Sequence, residues 1–216
     1  MNFVLFRRFL YAALCVCATS FATTGTVLIL HTNDLHDHVR PGYDGEGGMP
    51  YIAGYVKQVR GTRHDVLLLD AGDVTEKGDM VSYKTDSEIM YEAMATIGYD
   101  AATIGNHDWA RGVEHVRHCG EIAKMPLLCA NYLDKDGSPV FPPSAILDVN
   151  GVKVGIIGLT KEKIPGILDV EESGKLLEKE AEKPDADAKL IVAVCHLGSR
   201  DCKALAKLAP NVDVFV

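Results

Sequence analysis

The chain has 216 residues, 47% hydrophobic and 24% charged, which excludes a disordered or collagen-like polymer and predicts one globular domain with a sizeable core. Its formal charge is -8, from 22 basic and 30 acidic residues with no lysine or arginine cluster, so a nucleic-acid duplex is not an expected partner. An acidic chain that handles phosphate needs cations to do it.

In chain order, residues 1–22 read as a secretory signal: Arg7 and Arg8 supply a positive start, FLYAALCVCA a short apolar stretch, and Ser20-Phe21-Ala22 small residues at a cleavage site. Export, either to a periplasm or out of the cell, is the expectation, with no membrane-spanning segment left after cleavage and residues 23–216 as the working domain. Beyond the signal, Cys119, Cys129, Cys195 and Cys202 lack the CxxC spacing of a zinc or redox site. Export would permit disulfides; Cys119 with Cys129 is one pairing among several. The pattern does not set an oligomeric state.

Apolar runs rich in β-branched residues predict strands at 27–32, 65–70, 99–105, 125–130, 152–160, 189–195 and 212–216. Helical spacing of apolar residues appears between them, at 51–60, 87–98, 112–124 and 201–210, and the charged stretch 171–188 predicts an exposed helix and linker. Continuous apolar strands alternating with helices imply an α/β layered fold. Asn150-Gly151, between two apolar runs, predicts a tight hairpin turn and hence a mixed sheet.

The polar residues that matter fall after strands: HTNDLHDH after the first, DAGD after the second, GNHD after the third and CHLG after the sixth. Ligands of open α/β sheets collect beyond the carboxyl ends of strands, so four segments would converge on one crevice. Asp34 and His36, two apart in an extended stretch, would face one ion. Gly72 lets the chain turn so that Asp73 points inward, where its two oxygens could be shared by two cations. Asn106 and His196 would complete the second. Mixed nitrogen and oxygen donors suit Mn, Zn or Fe better than Ca. Singly, each motif has an ordinary reading as a loop or a satisfied polar group; their joint occurrence in this order is what carries the metal reading.

At this point the sequence resembles the calcineurin-like metallophosphoesterases, and among them the secreted 5'-nucleotidase branch. The matching segments are ILHTNDLHDHV, GGMPYIAGYVKQVR, LLLDAGDV, IGYDAATIGNHDWARG, LLCANY, VGIIGLT and IVAVCHLG. The resemblance implies a four-layered αββα sandwich with mixed sheets. It implies two divalent metal ions, one held by Asp34, His36 and Asp73 and the other by Asp73, Asn106 and His196, with His107 facing the phosphate as the catalytic imidazole. The implied reaction is hydrolysis of a phosphate ester, a nucleotide being the expected substrate, by metal-activated hydroxide. Alternatives are a cyclic-nucleotide phosphodiesterase or a sulfur-ester hydrolase on the same centre, and a non-catalytic secreted fragment.

Two departures from the branch stand out. An acid that commonly follows this histidine by three residues, and orients it, is Ala110 here. Asp108 is then the candidate orienting residue, with a helix cap as its other reading; Trp109 is expected to pack. The second departure is at VDVFV, after which the branch carries two further metal-ligating histidines and a nucleoside-binding domain. The expectation is that the sequence is the front part of a longer enzyme, incomplete at its C-terminus. His38, the unused histidine nearest the site, is expected to be an exposed loop residue.

Overall fold

The computed structural model describes residues 25–161, 165–182 and 188–216. The signal-like segment 1–22 lies outside them, as does most of the linker after the charged helix. The first sheet consists of β1 (Leu28–Thr32), β2 (Val66–Asp70), β3 (Ala101–Thr103) and β4 (Leu127–Leu128), paired in that order and all parallel. The second holds β5 (Ser144–Val149), β6 (Val152–Leu159), β7 (Leu190–Cys195) and β8 (Val214–Phe215); β5 and β6 are antiparallel and the rest parallel. Asn150 and Gly151, at φ 53° and 84°, form the hairpin turn in the left-handed conformation such a turn requires.

Strand alternation assigns each side chain to a layer. Leu67 and Leu69 of β2 meet Val154 and Ile156 of β6 and Val192 and Val194 of β7 in the core between the sheets. Leu68, pointing the other way, joins Val56 of α1 (Gly48–Arg60), Met90 and Met94 of α3 (Glu88–Ile97), and Val116 and Cys119 of α4 (Val113–Ala123). On the outer face of the second sheet, Ile157, Leu159 and Ala193 pack on Leu177 of α5 (Val170–Ala181) and Leu205 of α6 (Ser199–Leu208). The result is the expected αββα sandwich. Each such leucine or isoleucine removed from water stabilises the fold by about 2 kcal/mol.

The sheets approach closely at Gly158, where a Cβ would lie 2.2 Å from the Leu128 carbonyl oxygen. The buried Thr103 hydroxyl reaches both Leu128 O (3.0 Å) and Leu159 O (3.2 Å), fixing β3 against both sheets. The strands at 99–105 and 125–130 are shorter than their apolar runs because the ends of those runs leave the ladders to serve loops. One helix is absent from the sequence reading: α2 (Met80–Lys84), whose five residues include an exposed Met80 and Tyr83 and therefore show no amphipathic period. All four described cysteines are free thiols, Cys195 and Cys202 touching each other rather than Cys119 meeting Cys129. Among the described residues no helix is long and apolar enough to cross a membrane.

Candidate metal centre

The loops after β1 and β2 are joined by backbone hydrogen bonds, Asp34 N to Gly72 O, His36 N to Asp73 O and Asp37 N to Val74 O, each 2.9 Å. Asp34, His36 and Asp37 have φ of 53°, 43° and 59°, so this stretch is not extended as the two-residue spacing suggested. A left-handed turn, held by the partner loop, brings Asp34 and His36 together instead. Asp73 is itself left-handed at φ 59°. Gly72 before it (φ 89°) could carry no side chain, since a Cβ would lie 2.5 Å from the backbone nitrogen of Gly105 in the third loop.

Asp73 is the convergence point. Its Oδ2 lies 3.2 Å from His196 Nε2 and 3.7 Å from His36 Nε2, while His36 Nε2 is 3.5 Å from Asp34 Oδ1. Ligand atoms of Asp34, Asp73 and His196 all lie within 4.8 Å of one another. Both imidazoles are fixed from behind: His36 Nδ1 contacts Thr75 O at 3.2 Å and His196 Nδ1 contacts Ala71 O at 2.8 Å. A carbonyl only accepts, so each ring keeps a proton on Nδ1 and leaves Nε2 as the atom that could offer a lone pair to a cation, the arrangement of metal-ligating histidines. The donor set therefore fits a divalent cation.

Burial pushes the Asp73 carboxyl upward, but the His196 imidazole, the His107 backbone N–H (2.7 Å to Oδ1) and the charges of both rings outweigh it and hold it below the ordinary value. His196 is correspondingly raised: burial lowers it, and its contact with Asp73 more than compensates. Asn106 is half-buried in the same turn, between Gly105 and His107. The His107 ring stands edge-on to that of His36, with centroids 5.0 Å apart. His38 is turned to Leu35 O on the exposed loop, as expected. Trp109 packs edge-on against Tyr132 and Phe141.

Asp108 does not take the orienting role considered for it. Its Oδ2 accepts the backbone N–H of Gly105 (2.7 Å) and Asp73 (3.0 Å), and its Oδ1 accepts Thr75 N (3.0 Å) and Thr75 Oγ1 (3.1 Å). Nor does it cap the 3-10 turn Asp108–Arg111 that it begins. With its oxygens committed to the backbone of two loops, Asp108 clamps the Asp73 turn to the His107 turn. His107 Nδ1 contacts instead Glu76 Oε2 at 2.5 Å, and Lys77 Nζ lies 2.7 Å from His107 Nε2. Both residues escape a reading by motif, because they are 31 and 30 positions from the histidine and belong to the loop after a different strand.

Asp70, fully buried at the end of β2, is pushed up to about 7 by burial, against hydrogen bonds from Thr32 Oγ1 (2.6 Å) and Gly72 N (2.9 Å). In the metal-free protein the folded state then holds this proton more tightly than the unfolded chain. Its contribution to stability is full below the ordinary carboxylate value of about 4 and is lost as pH rises toward about 7. Asp70→Asn can keep both contacts, with the amide donating to Thr32 Oγ1, and is expected to reduce the fall in melting temperature across that window. An unchanged slope would show that Asp70 does not titrate there.

An αββα sandwich here gathers carboxylates and imidazole Nε2 atoms beyond the carboxyl ends of its strands, a donor set of the kind that holds divalent cations. The chain belongs to the calcineurin-like phosphoesterase family, whose pattern matches residues 27–216. Enzymes of this family use divalent metals. A 5'-nucleotidase of Vibrio cholerae is 36% identical over 212 residues, covering 87% of this chain and 37% of that protein. Protein UshA of Escherichia coli is 34% identical over 197 residues, covering 82% of this chain and 35% of that one. The crystal structure of a 5'-nucleotidase precursor from Thermus thermophilus matches with a TM-score of 0.74 at 28% identity, over 87% of this chain and 40% of that one. The chain thus spans little more than a third of the length of the curated relatives it matches.

Proposed function

We propose that the chain carries the catalytic domain of a secreted phosphomonoesterase acting on nucleotides. The observation that carries this reading is the convergence of Asp34, His36 and His196 on Asp73, with His107 beside them. In it, Asp34, His36 and Asp73 hold one divalent cation, and Asp73, Asn106 and His196 the other, the ions being Mn, Zn or Fe. Such a pair supplies Lewis-acid polarisation of the phosphate and a water nucleophile at neutral pH. The protein's part is to fix the donors and present His107. With Nδ1 committed to Glu76, Nε2 is the nitrogen left to meet phosphoryl oxygen charge or give a proton to the leaving alkoxide. The nucleotide assignment is supported by the relatives named 5'-nucleotidase, and export by the signal-like first 22 residues.

The test is hydrolysis of a nucleoside 5'-monophosphate by the full chain with Mn, Zn or Fe, before and after chelation. Turnover that disappears with the metal is expected. Turnover confined to a cyclic diester or a sulfur ester would transfer the assignment to those alternatives, and failure to take up any metal would favour the non-catalytic one. His107→Ala is expected to lower kcat about 100-fold at unchanged metal content, the scale of a lost general acid. Lost metal content would instead make His107 a ligand.

A further inference from the structure

Resting on that reading, we propose that the bend Glu76–Lys77 is a second half of the active site, in which Glu76 is the positioning residue for His107 and Lys77 receives the substrate phosphate. The two side chains bracket one imidazole, Glu76 at Nδ1 and Lys77 at Nε2. An ammonium only donates, so Nε2 accepts from Lys77 and the ring proton stays on Nδ1, donated to the Glu76 carboxylate. Together the two contacts select a single tautomer and a single ring orientation.

The backbone of this bend is built for the purpose. Glu76 and Lys77 are consecutive non-glycine residues at φ 71° and 74°, a conformation that costs free energy at each position. It is held by a hydrogen bond from Glu76 N to Asp37 Oδ2 (2.7 Å), a buried carboxylate that also accepts the Ser87 hydroxyl (3.1 Å). Gly78 then packs so close that a Cβ would lie 2.2 Å from the His36 carbonyl oxygen. The Glu76 side chain is 42% exposed, where an ion pair adds little stability, so the strained bend is not explained as a stabilising device. Strain of this kind collects where a side chain must be aimed.

Lys77 also lines an open cleft of about 580 Å³, with Asp37, Glu76, Asp79, Tyr83 and Arg111 on its walls. Arg111 is paired with Asp86, so Lys77 is the cationic side chain of this cleft that meets the His107 imidazole. A phosphate oxygen arriving there competes with Nε2 for the Lys77 ammonium. It thereby gains a charge-assisted contact and leaves Nε2 free to take a proton from solvent water, which the doubly protonated ring can then pass to the leaving oxygen.

The experiment uses the full chain labelled with 15N-histidine, the His107 signal being assigned by its loss in His107→Ala. Glu76→Ala is expected to replace the single Nδ1–H tautomer with a mixture. Its kcat should fall about 10- to 100-fold, with KM within about threefold of the unaltered chain, as for other lost partners of functional imidazoles. Glu76→Gln, whose Oε1 still accepts from Nδ1–H, should recover the tautomer. Lys77→Ala is expected to weaken the binding of inorganic phosphate about tenfold, the order of one charge-assisted contact. An unchanged tautomer in Glu76→Ala, or phosphate affinity within about twofold in Lys77→Ala, overturns the proposal. These readouts need no turnover, so an unaltered chain that hydrolyses no phosphate ester would sink the hydrolase reading and leave this one to be judged separately.

Discussion

Asp73→Asn is expected to lower kcat/KM on the order of 10³-fold or more, about 4 kcal/mol of transition-state stabilisation, and to weaken metal retention. The size follows from what Asp73 touches. Oδ1 is committed to the His107 backbone N–H at 2.7 Å, and Oδ2 is the atom on which His196 and His36 converge. An asparagine that keeps the first contact must place its NH2 at the second, where it offers protons to a site that needs a lone pair. One that reverses itself sets an N–H donor against the His107 N–H. Neither arrangement lets one side chain serve two cations. Since the buried carboxylate is surrounded by donors rather than core packing, the metal-free variant should still fold. Metal content by elemental analysis and kcat/KM measured on the same sample decide the matter. Most of the activity surviving would remove Asp73 from the shared position.

The parts of the site legible in the sequence were those tied to strand ends. The chain needs no tertiary information to show that DAGD and GNHD each follow an apolar run, and parallel strands bring their carboxyl ends to one side of a sheet. Layering was legible for the same reason: Leu67, Leu68 and Leu69 form a run too apolar for a one-sided strand, and they divide between two cores. What the sequence left hidden depends on backbone conformation and on pairings across loops. Asp34 and His36 share the site through a left-handed turn set by hydrogen bonds from the neighbouring loop, which no spacing rule contains. Glu76 stands where the missing acid at position 110 was sought, yet it comes from the opposite side of the histidine and from the loop after β2. Asp108, next to His107 in sequence, faces the backbone instead, because its side chain enters a ring of amide donors.

That ring makes the second large prediction. Asp108→Ala is expected to destabilise the protein by about 3 kcal/mol, a drop in melting temperature of roughly 6 to 12 °C for a domain of this size. The side chain is 3% exposed and accepts four hydrogen bonds, three of them from backbone N–H groups of Gly105, Asp73 and Thr75 that have little access to water. Burial pushes its carboxyl up to about 6 even though those donors pull it down. Asp108→Asn should cost less, about 2 kcal/mol, because the amide has one tolerable orientation. With its NH2 toward Thr75, whose hydroxyl can rotate to accept, only the Thr75 N–H is left unpaired. The reverse orientation would strand both Gly105 and Asp73. Both variants loosen the clamp between the Asp73 and His107 turns, so metal retention should fall with stability. A melting temperature within about 2 °C of the unaltered chain would show that the four bonds make no net contribution. The His107 tautomer supplies the finer discrimination: if Glu76 holds the ring, Asp108→Asn leaves the proton on Nδ1, whereas a tautomer lost with Asp108 would return the orienting role to that residue.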